Sequence, residues 1–196
     1  MSTGGPTRLV LGGMGLDALP PVVRELTALR VLDLGHNALR ALPEWLAELD
    51  ALEVLYLSDN AFETLPEPVR ALRRLTYLGF TDNRARALPD WLGELDALVE
   101  LRVYFNRLDA LPDAIGRLTR LRELHARGNR LRTLPDTLAA CTDLGLLDLR
   151  ANRLRTLPPA VLELPRLQKL DLRWNAWTET PPECAPLVAR GCVVLT

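Results

Sequence analysis

The hydrophobic positions along this chain repeat every 23 residues. Residues 29–49 read LRVLDLGHNALRALPEWLAEL, which reduces to L-x-x-L-x-L-x-x-N-x-L-x-x-L-P-x-x-L-x-x-L. The same step separates the asparagines of seven successive units: Asn37, Asn60, Asn83, Asn106, Asn129, Asn152 and Asn175. Leu-Pro pairs keep the step from Leu19-Pro20 to Leu157-Pro158. Such regularity predicts a chain built from stacked copies of one small unit, because a single unit has too few apolar partners to fold alone.

Each unit begins with the alternation that is typical of a short β-strand. Leu32 and Leu34 alternate with Val31, Asp33 and Gly35, so one face of the segment is apolar. Counting by 23 predicts nine strands, centred within residues 9–11, 32–34 and so on to 193–195. The asparagine after each strand turns the chain, and its side-chain amide is suited to bond backbone groups that stacking would otherwise bury unpaired. We therefore expect the seven asparagines to be structural.

The second half of each unit predicts a turn of helix on the opposite side. Proline follows leucine where this turn begins, a position that tolerates the missing N–H. Leu46 and Leu49 then give the turn one buried stripe.

This pattern, over residues 6–196, resembles the leucine-rich repeat family, in the LPxxLxxL form found in Ras-suppressor-type scaffolds and their bacterial relatives. The resemblance implies an α/β solenoid in the form of a right-handed horseshoe. About nine parallel strands would line its concave face, with short helical or 3-10 turns on the convex side. We expect residues 1–196 to form a single domain of eight 23-residue repeats and a truncated C-terminal strand.

The composition indicates a foldable chain without a membrane span, since 48% of the residues are hydrophobic and 25% are charged. No run approaches the roughly 20 apolar residues that cross a bilayer, and the first residues lack the features of a signal peptide. We expect a cytoplasmic protein; the alternative is a secreted effector without a cleaved signal. The three cysteines, an odd number with no C-x-x-C spacing, argue against a zinc site and a disulfide framework. We expect no cofactor and no metal.

Aromatic side chains fill variable positions that we expect to face solvent on the concave side. All three tyrosines, one phenylalanine and one tryptophan fall there, and such residues dominate protein-binding hot spots. The candidate protein-binding residues are Tyr56, Tyr77, Arg102, Tyr104, Phe105, His125, Arg127, Arg150, Arg173 and Trp174. The alternative is that the rings pack against one another as cross-strand pairs and shield the sheet.

Arginines form rows beside these aromatics. Arg127, Arg150 and Arg173 share one position in consecutive units, about 5 Å apart, where like charges cost stability unless Asp148 and Asp171 offset them. A further set lines the adjoining flank: Arg84, Arg86, Arg107, Arg130, Arg132, Arg153 and Arg155. The flank is either a solvated surface whose arginine stems cover apolar edges or a docking surface for an acidic protein segment.

Other functions fit less well. The formal net charge is −1, and acids alternate with arginines on the concave rows, which disfavours nucleic acid. His36, Ser58 and Asp59 would meet on an open surface without the pocket or oxyanion donors that hydrolysis uses. The row His36, Asp59 and Asp82 would hold a divalent ion only weakly.

We interpret the chain as a non-enzymatic protein-interaction module that binds a partner protein through its concave face, with no nucleic acid or membrane partner. The resemblance suggests signalling scaffolds, small GTPases or host proteins as partner classes. One alternative is a targeting or regulatory subunit that works with a separate GTPase, kinase or ubiquitin ligase. Another is a purely architectural protein that assembles through its ends. Neither end shows a dedicated cap, so we expect weak self-association or a partner that covers the first unit.

Overall fold

The computed structural model describes residues 5–177 and 179–196. One parallel sheet runs through it, with its strands paired in chain order from first to last. Leu9 pairs with Leu32, and each following pair keeps the step of 23 residues as far as Leu147 and Leu170. The strands are β1 (Arg8–Val10), β2 (Val31–Asp33), β3 (Val54–Tyr56), β4 (Tyr77–Gly79), β5 (Glu100–Arg102), β6 (Glu123–His125), β7 (Leu146–Asp148), β8 (Lys169–Asp171) and β9 (Val193–Leu195). The predicted nine-stranded horseshoe is therefore confirmed.

The first eight strands begin and end one residue earlier than the alternation predicted. β2, for example, covers Val31–Asp33. The N–H of the inward Leu34 still donates to the Tyr56 carbonyl of the next coil, but this bond lies outside the regular pairing of the strands. The last strand nevertheless lies at the predicted residues, since Lys169 pairs with Val193, a step of 24. The extra residue is absorbed by a helical turn and Gly191, whose φ of 86° only glycine adopts at no steric cost.

The convex side carries short 3-10 and α-helical turns. Pro43 precedes the first of its turn's helical residues with an extended ψ of 148°, and its carbonyl oxygen accepts the Leu46 N–H at 3.0 Å. The prolines thus stand just before the helical residues. Seven 3-10 helices cover Pro21–Glu25, Glu44–Glu48, Glu67–Ala71, Asp90–Glu94, Asp113–Arg117, Asp136–Ala140 and Pro182–Cys184, and two α-helices cover α1 (Pro159–Leu162) and α2 (Ala185–Ala189), counted over the described residues.

The core is a continuous stack of leucines between the sheet and the convex turns. Leu32 and Leu34 from a strand and Leu46 and Leu49 from a convex turn are fully buried. The three cysteines belong to this core and are free of disulfides. Burial raises the pKa of the Cys141 thiol to about 11, so this thiol stays protonated and unreactive at neutral pH.

Every asparagine of the repeat bonds two coils together, and we call the seven residues the asparagine ladder. Asn129 donates to the carbonyl oxygens of Ala126 in its own coil and Val103 in the preceding coil, both at 3.0 Å. Its Oδ1 atom accepts the N–H of Leu108 at 3.0 Å. The other six asparagines make the same inter-coil bonds. These bonds satisfy backbone groups that the turn leaves without a sheet partner, and they hold each coil in register with the next.

Apolar side chains remain exposed at both ends of the array. Val10, Met14 and Val22 in the first coil are each more than half exposed, and so is Val193 on β9. Weak self-association through these ends stays a prediction. No helix among residues 5–177 and 179–196 is long and apolar enough to cross a membrane.

Replacing Asn129 with alanine should lower the free energy of unfolding by about 3 kcal/mol, because it leaves the Leu108 N–H and the Val103 carbonyl buried without partners. Urea denaturation followed by circular dichroism measures the loss. Asn37→Ala is the matched control: Asn37 is only partly buried in the second coil, so water replaces its bonds and the loss should be about 1 kcal/mol. Equal losses at the two positions would contradict this account of the ladder.

Candidate concave-face binding site

The residue before each asparagine has a left-handed backbone. Its φ is 54° at His36, 52° at Asp59, 51° at Asp82, 66° at Gly128, 54° at Phe105, 51° at Ala151 and 61° at Trp174. Glycine, aspartate and histidine tolerate this region comparatively well, whereas a bulky aromatic residue there is strained. Phe105 and Trp174 therefore hold their rings at positions that local stability disfavours.

Phe105 lies across the neighbouring coil. A Cβ atom added at Gly128 would lie 2.3 Å from the Cδ1 atom of Phe105, so only glycine leaves room for the ring. Tyr104 packs edge-on against the same ring, with 5.5 Å between the ring centroids. Phe105 still exposes 43% of its surface. The two rings form a half-open aromatic platform.

A second aromatic pair occupies the adjoining strands. The rings of Tyr56 and Tyr77 are 4.8 Å apart and tilted, and the Tyr77 ring covers Gly79, where an added Cβ atom would lie 3.2 Å from it. The guanidinium of Arg102 lies 5.6 Å from the Tyr77 ring centroid. Burial raises the pKa of Tyr77 to about 12, and the charge of Arg102 opposes this only in part. This pair is packed in the way that the cross-strand alternative describes, and it leaves less surface free than Phe105 does.

Arg127 differs from the other two arginines of its row. Its guanidinium lies 4.6 Å from the Phe105 ring and 5.3 Å from the Tyr104 ring. Its Nε atom is buried and has no hydrogen-bond partner among the described residues. Among the described residues, the groups that balance its charge are the faces of the Phe105 and Tyr104 rings.

Arg150 and Arg173, in contrast, are neutralised by aspartates on their own strands. Arg150 donates from Nε and Nη2 to the two carboxylate oxygens of Asp148, at 2.8 and 2.6 Å. Arg173 bonds Asp171 in the same way at 2.9 and 2.7 Å. Burial alone would raise the pKa of Asp148, but hydrogen bonds from the side chain and backbone of Arg150, with its charge, lower it. The offset predicted for these two aspartates is present, and Arg127 lacks it because His125 stands at the corresponding position.

Trp174 stands at the edge of the site. It is 69% exposed, and the Arg173 guanidinium lies 5.7 Å from its ring. A tryptophan held outward on a strained backbone is a ready contact for another molecule.

A group of acids and a histidine continues the row of Tyr77 on β5 and β6. Glu100 and Glu123 are directly opposite on β5 and β6, where like charges repel. Arg102 Nε donates to Glu100 at 2.5 Å, and His125 Nε2 lies 3.0 Å from Glu123. The two carboxylates and the imidazole converge within 4.8 Å, which is within reach of a common metal ion. Arg102 already bonds Glu100, however, so a cation would have to displace it.

The triple of His36, Ser58 and Asp59 does not form a catalytic arrangement. His36 Nδ1 lies 2.8 Å from an Asp59 carboxylate oxygen. Within the described residues, Ser58 Oγ contacts the Thr81 backbone N–H at 3.5 Å and makes no hydrogen bond to His36. A nucleophile-base pair is therefore lacking at this place.

The structure gathers the candidate residues into three groups. Tyr56, Tyr77 and Arg102 form one; Tyr104, Phe105 and Arg127 form the second; Arg150, Arg173 and Trp174 form the third. His125 lies against Glu100 and Glu123. Sequence reasoning missed the Glu100–Glu123 opposition, which the 23-residue step places in one row. It also missed the left-handed backbone of Phe105, which the glycine, histidine and aspartates at the same position of other units would have indicated.

Two family models match the chain. One is described as a leucine-rich repeat region and matches residues 19–130; the other, described as a leucine rich repeat, matches residues 119–176. No curated protein matches.

Solved structures share the fold along most of this chain. A leucine-rich repeat protein of Leptospira interrogans is 26% identical, with a TM-score of 0.61 over 95% of this chain and 59% of that one. The leucine-rich repeat ectodomain of the Arabidopsis thaliana membrane receptor kinase GASSHO1/SCHENGEN3, solved in complex with CASPARIAN STRIP INTEGRITY FACTOR 2, is 26% identical, with a TM-score of 0.71 over 93% of this chain and 29% of that one. A TDR receptor is 29% identical, with a TM-score of 0.76 over 87% and 31%. This chain spans less than two thirds of each.

Trp174→Asn should raise the free energy of unfolding by about 1 kcal/mol, because asparagine adopts a positive φ more readily than tryptophan and the exposed ring contributes little packing. Urea denaturation monitored by far-UV circular dichroism measures the change. Asp82→Asn, a swap between two residues that both accept this backbone, should stay within about 0.3 kcal/mol of the wild type. A loss of stability in Trp174→Asn would mean that the ring packs rather than protrudes.

Arg150→Met should destabilise the protein in a pH-dependent way. In the wild type, the lowered pKa of Asp148 contributes stability above about pH 4 that is lost as the pH falls through the lowered value. Without Arg150, burial raises the pKa of Asp148, so the buried charge costs stability at pH 7 and protonation relieves that cost. We expect a deficit of about 2 kcal/mol at pH 7, less than for a fully buried pair because Arg150 is partly exposed. The deficit should shrink at pH 3 in urea titrations.

Arg127→Met is the matched control, since Arg127 has no carboxylate partner among the described residues and methionine still packs on the rings. It should change the free energy of unfolding by less than about 1 kcal/mol at either pH. A deficit at Arg150 that is independent of pH would contradict the assigned role of Asp148.

Proposed function

Since this chain belongs to the leucine-rich repeat family, whose domains are generally non-enzymatic protein-interaction modules, we propose that it binds a partner protein through its concave face. The platform of Tyr104 and Phe105, with Arg127 stacked on it, is the proposed centre of the contact. The flanking residues of the site are Tyr56, Tyr77, Arg102 and His125 on one side and Arg150, Arg173 and Trp174 on the other.

The observation that carries this proposal is the strained backbone of an exposed aromatic residue. Phe105 has a φ of 54° and still presents 43% of its surface to solvent. A residue that served only packing would be better replaced by one that accepts this backbone, as His36 and Asp59 do at the same position. Strain kept at an exposed position supports a role in recognition.

The surroundings of Phe105 fit such a role. Gly128 beneath the ring and Tyr104 at its edge hold it in one orientation, so little side-chain entropy is lost when a partner packs on it. Aromatic and arginine side chains are also enriched at the energetic centres of protein interfaces. The GASSHO1/SCHENGEN3 ectodomain, which shares the fold, was solved in complex with CASPARIAN STRIP INTEGRITY FACTOR 2, and a bound partner on the same fold supports a binding role for the present chain.

Self-assembly is a second candidate, favoured by one observation. Val10, Met14 and Val22 leave an exposed apolar surface on the first coil, and Val193 leaves one on the last strand. Terminal repeats normally carry a polar outer face, so head-to-tail contacts between copies would cover both ends. Concentration-dependent light scattering that is unchanged when Tyr104 and Phe105 are replaced would favour this function over the first.

The test of concave-face binding is an affinity capture from a lysate of the source organism, followed by a titration of the captured protein. The bait variant is Tyr104→Ser with Phe105→Asn, in which asparagine accepts the positive φ and the fold is kept. We expect the partner affinity to fall about 30-fold or more, which corresponds to about 2 kcal/mol for the loss of a hot-spot aromatic pair.

Met14→Gln serves as the control bait, because it removes an exposed apolar side chain of the first coil and leaves the platform intact. A partner bound equally by the double variant and the wild type, but lost with Met14→Gln, would move the binding site to the end of the array. Equal capture by all three baits would contradict both positions.

A further inference from the structure

One flank of the horseshoe is a row of arginines, and we propose that this basic rim docks an acidic α-helix of a partner protein. The basic rim comprises an inner row, Arg84, Arg107, Arg130 and Arg153, and an outer row, Arg86, Arg132 and Arg155. The proposal does not depend on the platform of Tyr104, Phe105 and Arg127, and Trp174 is the one residue that it shares with the proposed concave site.

The backbone fixes the spacing of the inner row. The N–H of Arg107 donates to the Ala85 carbonyl of the preceding coil at 2.8 Å, and Arg130 and Arg153 make the equivalent bonds at 2.9 Å. Each of these arginines also directly follows a ladder asparagine. Successive arginines of the inner row are therefore one coil apart, about 4.8 Å.

The charges of the basic rim are uncompensated. None of its seven arginines forms an ion pair within residues 5–177 and 179–196. Six of them are exposed and Arg130 is half-buried. At the same repeat position as the outer row, Asp109 lies between Arg86 and Arg132, and Glu63 lies one coil before Arg86. Like charges held at this spacing repel, so binding of an anionic partner relieves a repulsion that the fold itself leaves uncompensated.

Some arginines elsewhere on the surface are paired. Arg24 bonds Glu48, with its Nη2 atom 2.6 Å from a carboxylate oxygen, Arg30 bonds Glu53 at 3.1 Å, and Arg166 bonds Asp143 at 2.6 Å. Other exposed arginines, such as Arg74 and Arg120, also form no ion pair within the described residues, so the lack of pairing alone does not distinguish the basic rim. The basic rim is distinguished by its density, since seven arginines without an ion pair fall within four adjacent coils.

An apolar contact lies at one end of the basic rim. A depression of about 700 Å³ is bordered by Arg132, Arg153, Arg155 and Trp174, together with the small side chains Thr133 and Ala176. Trp174 is largely exposed there. A ligand that meets the arginines thus also reaches an aromatic face, and this combination anchors polypeptides better than charge alone.

The spacing favours a helix over an extended chain as the occupant. Three steps along the inner row cover about 14 Å at 4.8 Å per coil. Side chains at i, i+3, i+7 and i+10 of an α-helix lie on one face and cover about 15 Å at 1.5 Å per residue. Same-face residues of an extended chain are about 6.7 Å apart and lose register by the third rung. An acidic helical stripe, with an apolar residue one turn beyond it for Trp174, matches the basic rim.

The probe is a fluorescein-labelled, 18-residue alanine-rich peptide with four glutamates at i, i+3, i+7 and i+10 and a leucine one turn further on. The control peptide has the same composition, with its glutamates distributed around the helix. Fluorescence anisotropy at low salt should give an affinity for the striped peptide at least fivefold higher than for the control.

The protein variants separate position from net charge. Arg107→Gln, Arg130→Gln and Arg153→Gln together should weaken binding of the striped peptide at least tenfold. The control triple is Arg24→Gln, Arg30→Gln and Arg166→Gln, which removes the same charge from paired arginines and should change the affinity less than twofold. Circular dichroism verifies that both triples stay folded, as we expect because five of the six replaced side chains are exposed and Arg130 is only half-buried.

Three results would overturn the proposal. Equal affinity for the two peptides would mean that the basic rim does not distinguish how the glutamates are spaced on the helix. Equal loss in the two triples would mean that only net charge acts. Tighter binding of a labelled oligothymidine, lost in the basic-rim triple, would assign the surface to a phosphate backbone instead of an acidic helix.

Discussion

The fold depends on the hydrogen bonds that each ladder asparagine makes across two coils. Sheet bonds join the strands for only three residues per coil, and after them the backbone turns away with groups that would be buried unpaired. The asparagine amide closes that gap at the same place in every coil, because it combines a donor for two carbonyls with an acceptor for one N–H. The ladder thereby fixes the sideways position of each coil, and hence of every side chain beside it.

This register converts positions in the repeat into physical rows on the surface. A residue that recurs at 23-residue steps meets copies of itself about 5 Å away, so its chemistry is repeated as well. The rows of leucines stabilise the stack, since every added coil contributes further apolar contacts. Charged rows do not: Arg150 and Arg173 are stable neighbours because Asp148 and Asp171 bond them, whereas Glu100 and Glu123 depend on Arg102 and His125. The surface can be understood as a set of rows in which repulsion is either compensated within the chain or left for another molecule.

The sequence predicted most of this architecture, because burial and periodicity are properties of residue type. It could not predict the limits of the strands to one residue, since alternation reveals which side chains face inward but not where the regular ladder of hydrogen bonds ends. The 24-residue step before β9 could not be seen from the sequence either. The extra residue moves β9 one residue later, which cancels the one-residue-earlier start of the other strands, so β9 lies where counting by 23 placed it. The orientation of Phe105 also needed coordinates, because a ring on a left-handed backbone points across the neighbouring coil only if that coil offers a glycine, as Gly128 does. The isolation of Arg127 was readable in principle, since the D-x-R pairs at residues 148–150 and 171–173 become H-x-R at residues 125–127.

The constant step of the asparagine ladder has a consequence for how such a chain changes over generations. Because each coil presents the same donors and acceptors to both neighbours, duplication or loss of one 23-residue unit leaves every inter-coil bond matched. A gene encoding this chain can therefore lengthen or shorten its surface rows in whole rungs while the core stays intact. Phe105 of the aromatic platform and Arg107 of the basic rim flank Asn106 within one unit, so their separation stays fixed while the basic rim gains or loses whole coils.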